Sequence, residues 1–186
     1  MVVARGKTLF MSDTAVQEQP EPKQLAQMAA QTAALARRMG HTPRVALLSH
    51  STFGNPMREK SEPIRQAVTE LDAMNVDFEY DGELAADVAL NKDLMSLYPF
   101  CRLSDPANVL IMPALHTAHV ASKMLKELSD GVTIGPILTG FSKPAQIVQM
   151  NASVSEILNL SALAALDAIV SNEDKVVPVK PKKKKA

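Results

Sequence analysis

Four small polar residues in the stretch "SHSTFG", namely Ser49, Ser51, Thr52 and Gly54, have the types and spacing to do chemistry. Hydroxyls and backbone N–H groups grouped at the end of a strand suit an anion such as a phosphate. The same composition also makes an ordinary turn. Asp81, Glu83 and Asp87 follow in "DGELAAD", where a water-poor crevice could raise a carboxyl pKa for acid–base work. Against that stands a turn at Asp81-Gly82, with Asp87 opening a helix. His116 and His119 are spaced i, i+3, which lets both rings face one way on a helix. A zinc site needs at least a third ligand, and there is neither a cysteine partner nor an HExxH pattern, so no metal is expected. A histidine at a helix start instead suits a bond to backbone or to a ligand's phosphate. Lys143, before Pro144, could face a phosphate as a point charge or lie on the surface of a turn. No GxSxG elbow, P-loop or GxGxxG fingerprint occurs.

These residues need elements to hold them. "TLFMSD" (8–13) reads as a short strand after a seven-residue lead-in, "MVVARGK". From Glu21 to Met39 apolar residues recur every three to four positions. A proline in the first turn, Arg37 and Arg38 in the last and Gly40 beyond mark a helix. "RVALLS" (44–49) is an apolar run suited to a strand covered on both faces. A helix is expected over 61–74, a strand near 78–81 turning at Gly82, one or two short helices in "LAADVALNKDLMSLY", and a strand in "ANVLIMP" (107–113). A helix over 117–128, a strand "VTIGPIL" ending near Leu138, and a last helix over 153–170 complete the series. Ser153 and Glu156 give that helix a capping box.

Strands alternating with helices predict a three-layer α/β/α arrangement around a mostly parallel sheet. Ligands of such sheets collect beyond the carboxyl ends of the strands. This directs attention to the loops "SHSTFG", "DGELAAD", "PALHTAH" and "GPILTGFSKP".

Composition sets bounds. With 186 residues, 46% hydrophobic, 22% charged and 4% aromatic, the chain suits one soluble domain with an aliphatic core. The net charge of zero conceals an acidic body, because 175–186 carry six of the twenty basic residues and no acidic one. The folded part then has no basic stripe for nucleic acid. Residues 171–186 are expected to be a disordered lysine-rich tail. The single cysteine, Cys101, and the lack of a signal peptide or spanning apolar run point to a cytoplasmic protein without membrane contact.

Four stretches carry a resemblance. "RVALLSHSTFG", "FEYDGELAADVAL", "ANVLIMPALHTAHVASKMLKEL" and "IGPILTGFSKPAQIV" resemble, in order, the second half of the phosphate acetyltransferase/butyryltransferase family. That family is two-lobed, dimeric and isocitrate/isopropylmalate dehydrogenase-like in fold, with acyl-coenzyme A between the lobes. The resemblance implies that residues 1–170 form the second lobe and final helix, without the bulk of the first lobe. An exposed apolar face is the corollary. It also implies acetyl-CoA or phosphate contacts by Ser49, Ser51, Thr52, Gly54, Asp81, His116, Gly135 and Lys143.

Active relatives carry a Ser-Arg pair after "KP" and an acidic residue on the last helix. Those positions fall at Gln149, Met150 and Glu156. Methionine cannot donate a hydrogen bond. This pattern is similar to the C-terminal domain of hybrid NADP-dependent malic enzymes. It implies a catalytically impaired regulatory domain taking acetyl-CoA as effector, with no catalytic residue of its own. NADP and a divalent metal would belong to the parent's malate-decarboxylating part, and the assembly would be a homodimer or larger. The alternative is an active phosphate acetyltransferase.

Overall fold

The computed structural model describes residues 1–176, with side chains to Val170. It divides into two compact units, 1–133 and 134 onward.

The first unit is built on a six-stranded sheet. Its strands are β1 (Val2–Ala4), β2 (Lys7–Ser12), β3 (Arg44–Leu48), β4 (Glu79–Leu84), β5 (Val109–Ile111) and β6 (Val132–Thr133), in the order β4-β3-β5-β2-β1-β6. The four strands from β4 to β2 run parallel, and β1 pairs antiparallel with both β2 and β6. The sheet is therefore mixed at one edge and parallel where ligands of this architecture collect.

Alternation of side chains sorts the strands' residues into two faces. Ala46, Leu48, Leu110 and Met112 join Leu84, Val88, Ala89, Met95 and Ala118 in one core. That face is covered by α3 (Ala86–Leu90), α4 (Lys92–Met95) and α5 (Leu115–Leu128). Val45, Leu47, Val109 and Ile111, at the alternate positions, are also buried. Against the sheet there pack α1 (Pro22–Arg38) and α2 (Glu62–Met74), whose buried stripes include Leu25, Ala29, Ala33, Ile64 and Leu71. The small residues of α1 let it approach both the sheet and α2 closely. Deleting a fully buried side chain such as Leu71 would cost about 2–5 kcal/mol.

Helix boundaries follow the expected signals. In α1 the Glu21 N–H donates to the Gln24 side chain at 2.8 Å, Pro22 opens the helix, and Gly40 follows it at φ +82°.

Three expectations are corrected. "MVVARGK" is no lead-in, since Val2–Ala4 forms β1 and turns through Arg5 and Gly6, both at positive φ, into β2. The strand near Asp81 does not turn at Gly82 but runs through it to Leu84. A Cβ on Gly82 would sit 2.8 Å from the Cβ of Leu47, so glycine serves close strand approach rather than a turn. "VTIGPIL" keeps only Val132–Thr133 as strand, antiparallel to β1.

In the second unit, residues 134–153 lack regular structure. They are clasped by the Gln146 side chain, which accepts from Leu138 N–H at 2.9 Å and donates to Leu138 O at 3.2 Å. The helix α6 (Val154–Val176) opens with the expected capping box. Glu156 N–H donates to Ser153 Oγ at 3.2 Å, and Ser153 N–H donates to Glu156 Oε2 at 2.8 Å. The helix passes the expected end at Val170 and reaches Val176, and the rest of the proposed tail lies outside the described residues. Among the described residues no helix is long and apolar enough to cross a membrane.

Candidate functional site

Strand order locates the crevice. From β3 the chain leaves toward β4, whereas β5 leads away toward the β6 side, so the order reverses at the carboxyl ends of β3 and β5. The Ser49–Gly54 loop leaves the end of β3, and Pro113–His116 leaves the end of β5.

Beneath the Ser49–Gly54 loop lies a carboxylate. Where β3 pairs with β4, Leu47 opposes Gly82 and Leu48 opposes Leu84, so Glu83 is the extra residue of a bulge. Bulges re-aim side chains, and this one puts Glu83 out of contact with solvent. Burying a carboxylate is costly unless it is paired and hydrogen-bonded. Arg65 on α2 meets Glu83 Oε2 at 2.6 Å, the Gly54 N–H donates to Oε1 at 3.3 Å, and Ser51 Oγ donates to the same oxygen. Arg65 also pairs with Glu62 at 2.6 Å. Its guanidinium is held further above its ordinary range, by the Glu62 hydrogen bond first and by Glu83 in addition.

The hydroxyls extend this network. Ser51 Oγ lies 2.7 Å from Ser61 Oγ, which lies 2.8 Å from Ser49 Oγ. Ser51 and Ser61 are buried, while Ser49 is partly exposed. Thr52 is buried too, and its Oγ1 accepts from the Ala85 N–H at 3.0 Å. Phe53 N–H donates to Glu83 O and Ser49 N–H to Leu84 O, fastening the loop to β4 along its length. Gly54 adopts φ +81°, where a side chain would be strained.

Asp81 lies within β4 and is also buried. Its carboxylate accepts from the Gly82 N–H at 2.9 Å and the Arg102 N–H at 2.7 Å, holding the 98–102 turn. Beside it, burial pushes the Cys101 thiol upward. Phe53, Tyr98 and Phe100 form an aromatic cluster in which Phe100 meets both other rings edge-to-face, with Phe53–Phe100 centroids 4.9 Å apart, while Phe53 and Tyr98 are tilted.

The sequence-derived candidates therefore divide. Ser49, Ser51, Thr52 and Gly54 come together around Glu83, with Asp81 on the same strand. His116 is exposed in the first turn of α5. In the second unit Gly135 (φ +137°) and Lys143 lie in the irregular segment, where Gln149 and Met150 are exposed and Glu156 caps α6. Arg65 and Ser61 were not foreseen. Arg65 is 18 positions from Glu83 in the chain, and Ser61 stood only as the first residue of the helix expected over 61–74. Asp13 was missed as well. At the carboxyl end of β2 it accepts three backbone N–H groups, those of Ala15, Val16 and Gln17, at 2.7–3.0 Å.

Comparison with known proteins decides the family. Residues 1–165 match the model for Phosphate acetyl/butaryl transferase. The chain belongs to this family. Its relatives include an NADP-dependent malic enzyme of Rhizobium meliloti, 52% identical over 168 residues, which are 90% of this chain and 22% of that protein. A phosphate acetyltransferase of Clostridium acetobutylicum is 33% identical over 162 residues, covering 86% of this chain and 49% of that protein. Among solved structures, a phosphotransacetylase from Streptococcus pyogenes superposes with a TM-score of 0.82 at 29% identity, covering 86% of this chain and 49% of that one. The EutD phosphotransacetylase from Staphylococcus aureus has a TM-score of 0.83 at 23% identity over 91% of this chain and 52% of that one, which shows the shared fold. The chain thus spans about a fifth of the malic enzyme and about half of the acetyltransferase. It corresponds to a region of larger malic enzyme proteins.

Proposed function

We propose that this chain is the acetyl-CoA-binding regulatory domain, impaired as a phosphotransacetylase, of an NADP-dependent malic enzyme that oxidatively decarboxylates malate to pyruvate. The observation that carries the reading is the contrast between Ser49–Gly54, fastened over Glu83, and the Gln149-Met150 pair, which offers no cation or oxyanion donor at Met150. The 52% identity to a malic enzyme across 90% of the chain supports the parentage.

In this reading Ser49 and Gly54 meet the ligand, while Ser51, Thr52 and Asp81 shape the loops from below. His116, Gly135 and Lys143 are further proposed contacts. Losing one positioned donor in an acyl-transfer site costs about 3–4 kcal/mol, a hundredfold to a thousandfold in rate. Binding without turnover then leaves the ligand free to act as effector, with a coupling of about 1–3 kcal/mol to the malate site. NADP and a divalent metal belong to the parent's remaining length, and no residue of this chain is assigned to them.

The exposed stripe Val120, Met124 and Leu128 along α5 supports packing against that remaining length or a second copy in a homodimer. The family match and the Streptococcus pyogenes likeness favour the second reading, an active phosphate acetyltransferase. An acetyl phosphate assay on the parent protein separates the two. The regulatory reading expects acetyl-CoA to change malate oxidation with negligible acetyl phosphate formed. Turnover at ordinary enzyme rates would reject it.

A further inference from the structure

The three serine hydroxyls have a direction imposed on them. Glu83, as a carboxylate facing Arg65 and the Gly54 N–H, has no proton to give. Ser51 must therefore donate to it, which spends the one proton of that hydroxyl. At 2.7 Å from Ser51 Oγ, Ser61 must then donate to Ser51. Ser49, 2.8 Å from Ser61 Oγ, must in turn donate to Ser61. Each hydroxyl carries a single donor, so the order propagates to Ser49, whose proton goes to Ser61 at 2.8 Å rather than to the more distant Ser51 at 3.5 Å.

We infer that Glu83 orders the chain Ser49–Ser61–Ser51, so that Ser49 meets a ligand as a hydrogen-bond acceptor and selects a donor group, an amide N–H or a thiol, rather than a phosphate oxygen. That the ligand is an acyl-CoA rests on the reading above. The direction of the protons does not.

Two further contacts agree. The exposed ring of His50 brings Nδ1 to 3.4 Å from Ser49 Oγ, a long approach by a group that can donate in one tautomer. The Gly54 N–H, which an anion would need, already points at Glu83. An oxyanion beside Ser49 would meet lone pairs and stand near a buried negative charge. A pantetheine arm, with amide N–H groups and a terminal thiol, carries the complementary donors.

Neutron diffraction from deuterium-exchanged crystals of the full chain tests the order directly. The expected map places deuterium on Ser49 Oγ toward Ser61. Deuterium pointing from Ser49 away from Ser61 would overturn the inference.

Titrations of the full chain with phosphate-free pantetheine and with inorganic pyrophosphate test its consequence. Ser49→Ala should weaken pantetheine about fivefold and change pyrophosphate less than about twofold. Ser61→Ala frees the Ser49 proton and should narrow the preference between the two probes. Weakening of pyrophosphate alone by Ser49→Ala would contradict the assignment. A chain that binds neither probe counts against the acyl-CoA reading, while the neutron map still decides the proton order.

Discussion

The Ser49–Gly54 loop and the Gln149-Met150 segment are both irregular, yet their side chains live in opposite surroundings. Ser51, Thr52 and Ser61 are buried, and each hydroxyl has a named partner. Gln149 is exposed, and Met150 shows its entire side chain to solvent. The first region is held by bonds whose loss would strand a charge. The second can change residue type at little structural cost. Chemistry that depends on the second is therefore easily lost while the fold and the first region persist.

Substitutions should reproduce that ranking. Arg65→Met strands Glu83 as a buried, uncompensated carboxylate and should cost about 3–5 kcal/mol in urea unfolding. A loss no greater than that of an exposed residue would mean that Glu83 finds water or a proton, and the contrast between the regions would collapse. Gly82→Ala drives a Cβ to within 2.8 Å of Leu47 Cβ and 3.3 Å of Val68 Cγ2, beside the bulge that presents Glu83. Overpacking of this kind should lower stability by about 1–3 kcal/mol and weaken ligand binding with it.

A pH effect separates the outer part of β4 from its buried end. Tyr80 donates to Asp72 at 2.5 Å, and burial first and that bond second push the phenol up to about 12. The folded state then holds a proton that the unfolded chain has released above pH 10. Its contribution is full below pH 10 and is lost as pH rises through about 12. Tyr80→Phe should flatten this alkaline limb without altering binding at neutral pH, as followed by circular dichroism. The smallest effect is expected at the exposed pair. Gln149→Ala and Met150→Ala should each shift stability by no more than about 0.5 kcal/mol.

Periodicity made α1 and α2 legible, since their buried stripes recur at the helical spacing. The apolar runs marked β3 and β5 for the same reason of burial on both faces. Gly82 misled, because a glycine after an aspartate has the composition of a turn whether it turns or lets strands approach. β1 is only three residues, followed at once by the Arg5-Gly6 turn, and is too short to show alternation. At the site the loop residues were visible as a local cluster. The Arg65–Glu83 pair joins a helix to a bulged strand, and nothing in the local sequence of either element announces the other. Ser61 stands at the N-cap of α2, but its hydroxyl makes no cap bond and joins the serine chain instead.

Isothermal titration of acetyl-CoA into the wild-type chain tests the central claim most directly. Saturable heat with one site per chain, weakened by Ser49→Ala and unaccompanied by acetyl phosphate when inorganic phosphate is present, is the result the account predicts. Absence of heat, or steady formation of acetyl phosphate, would contradict it.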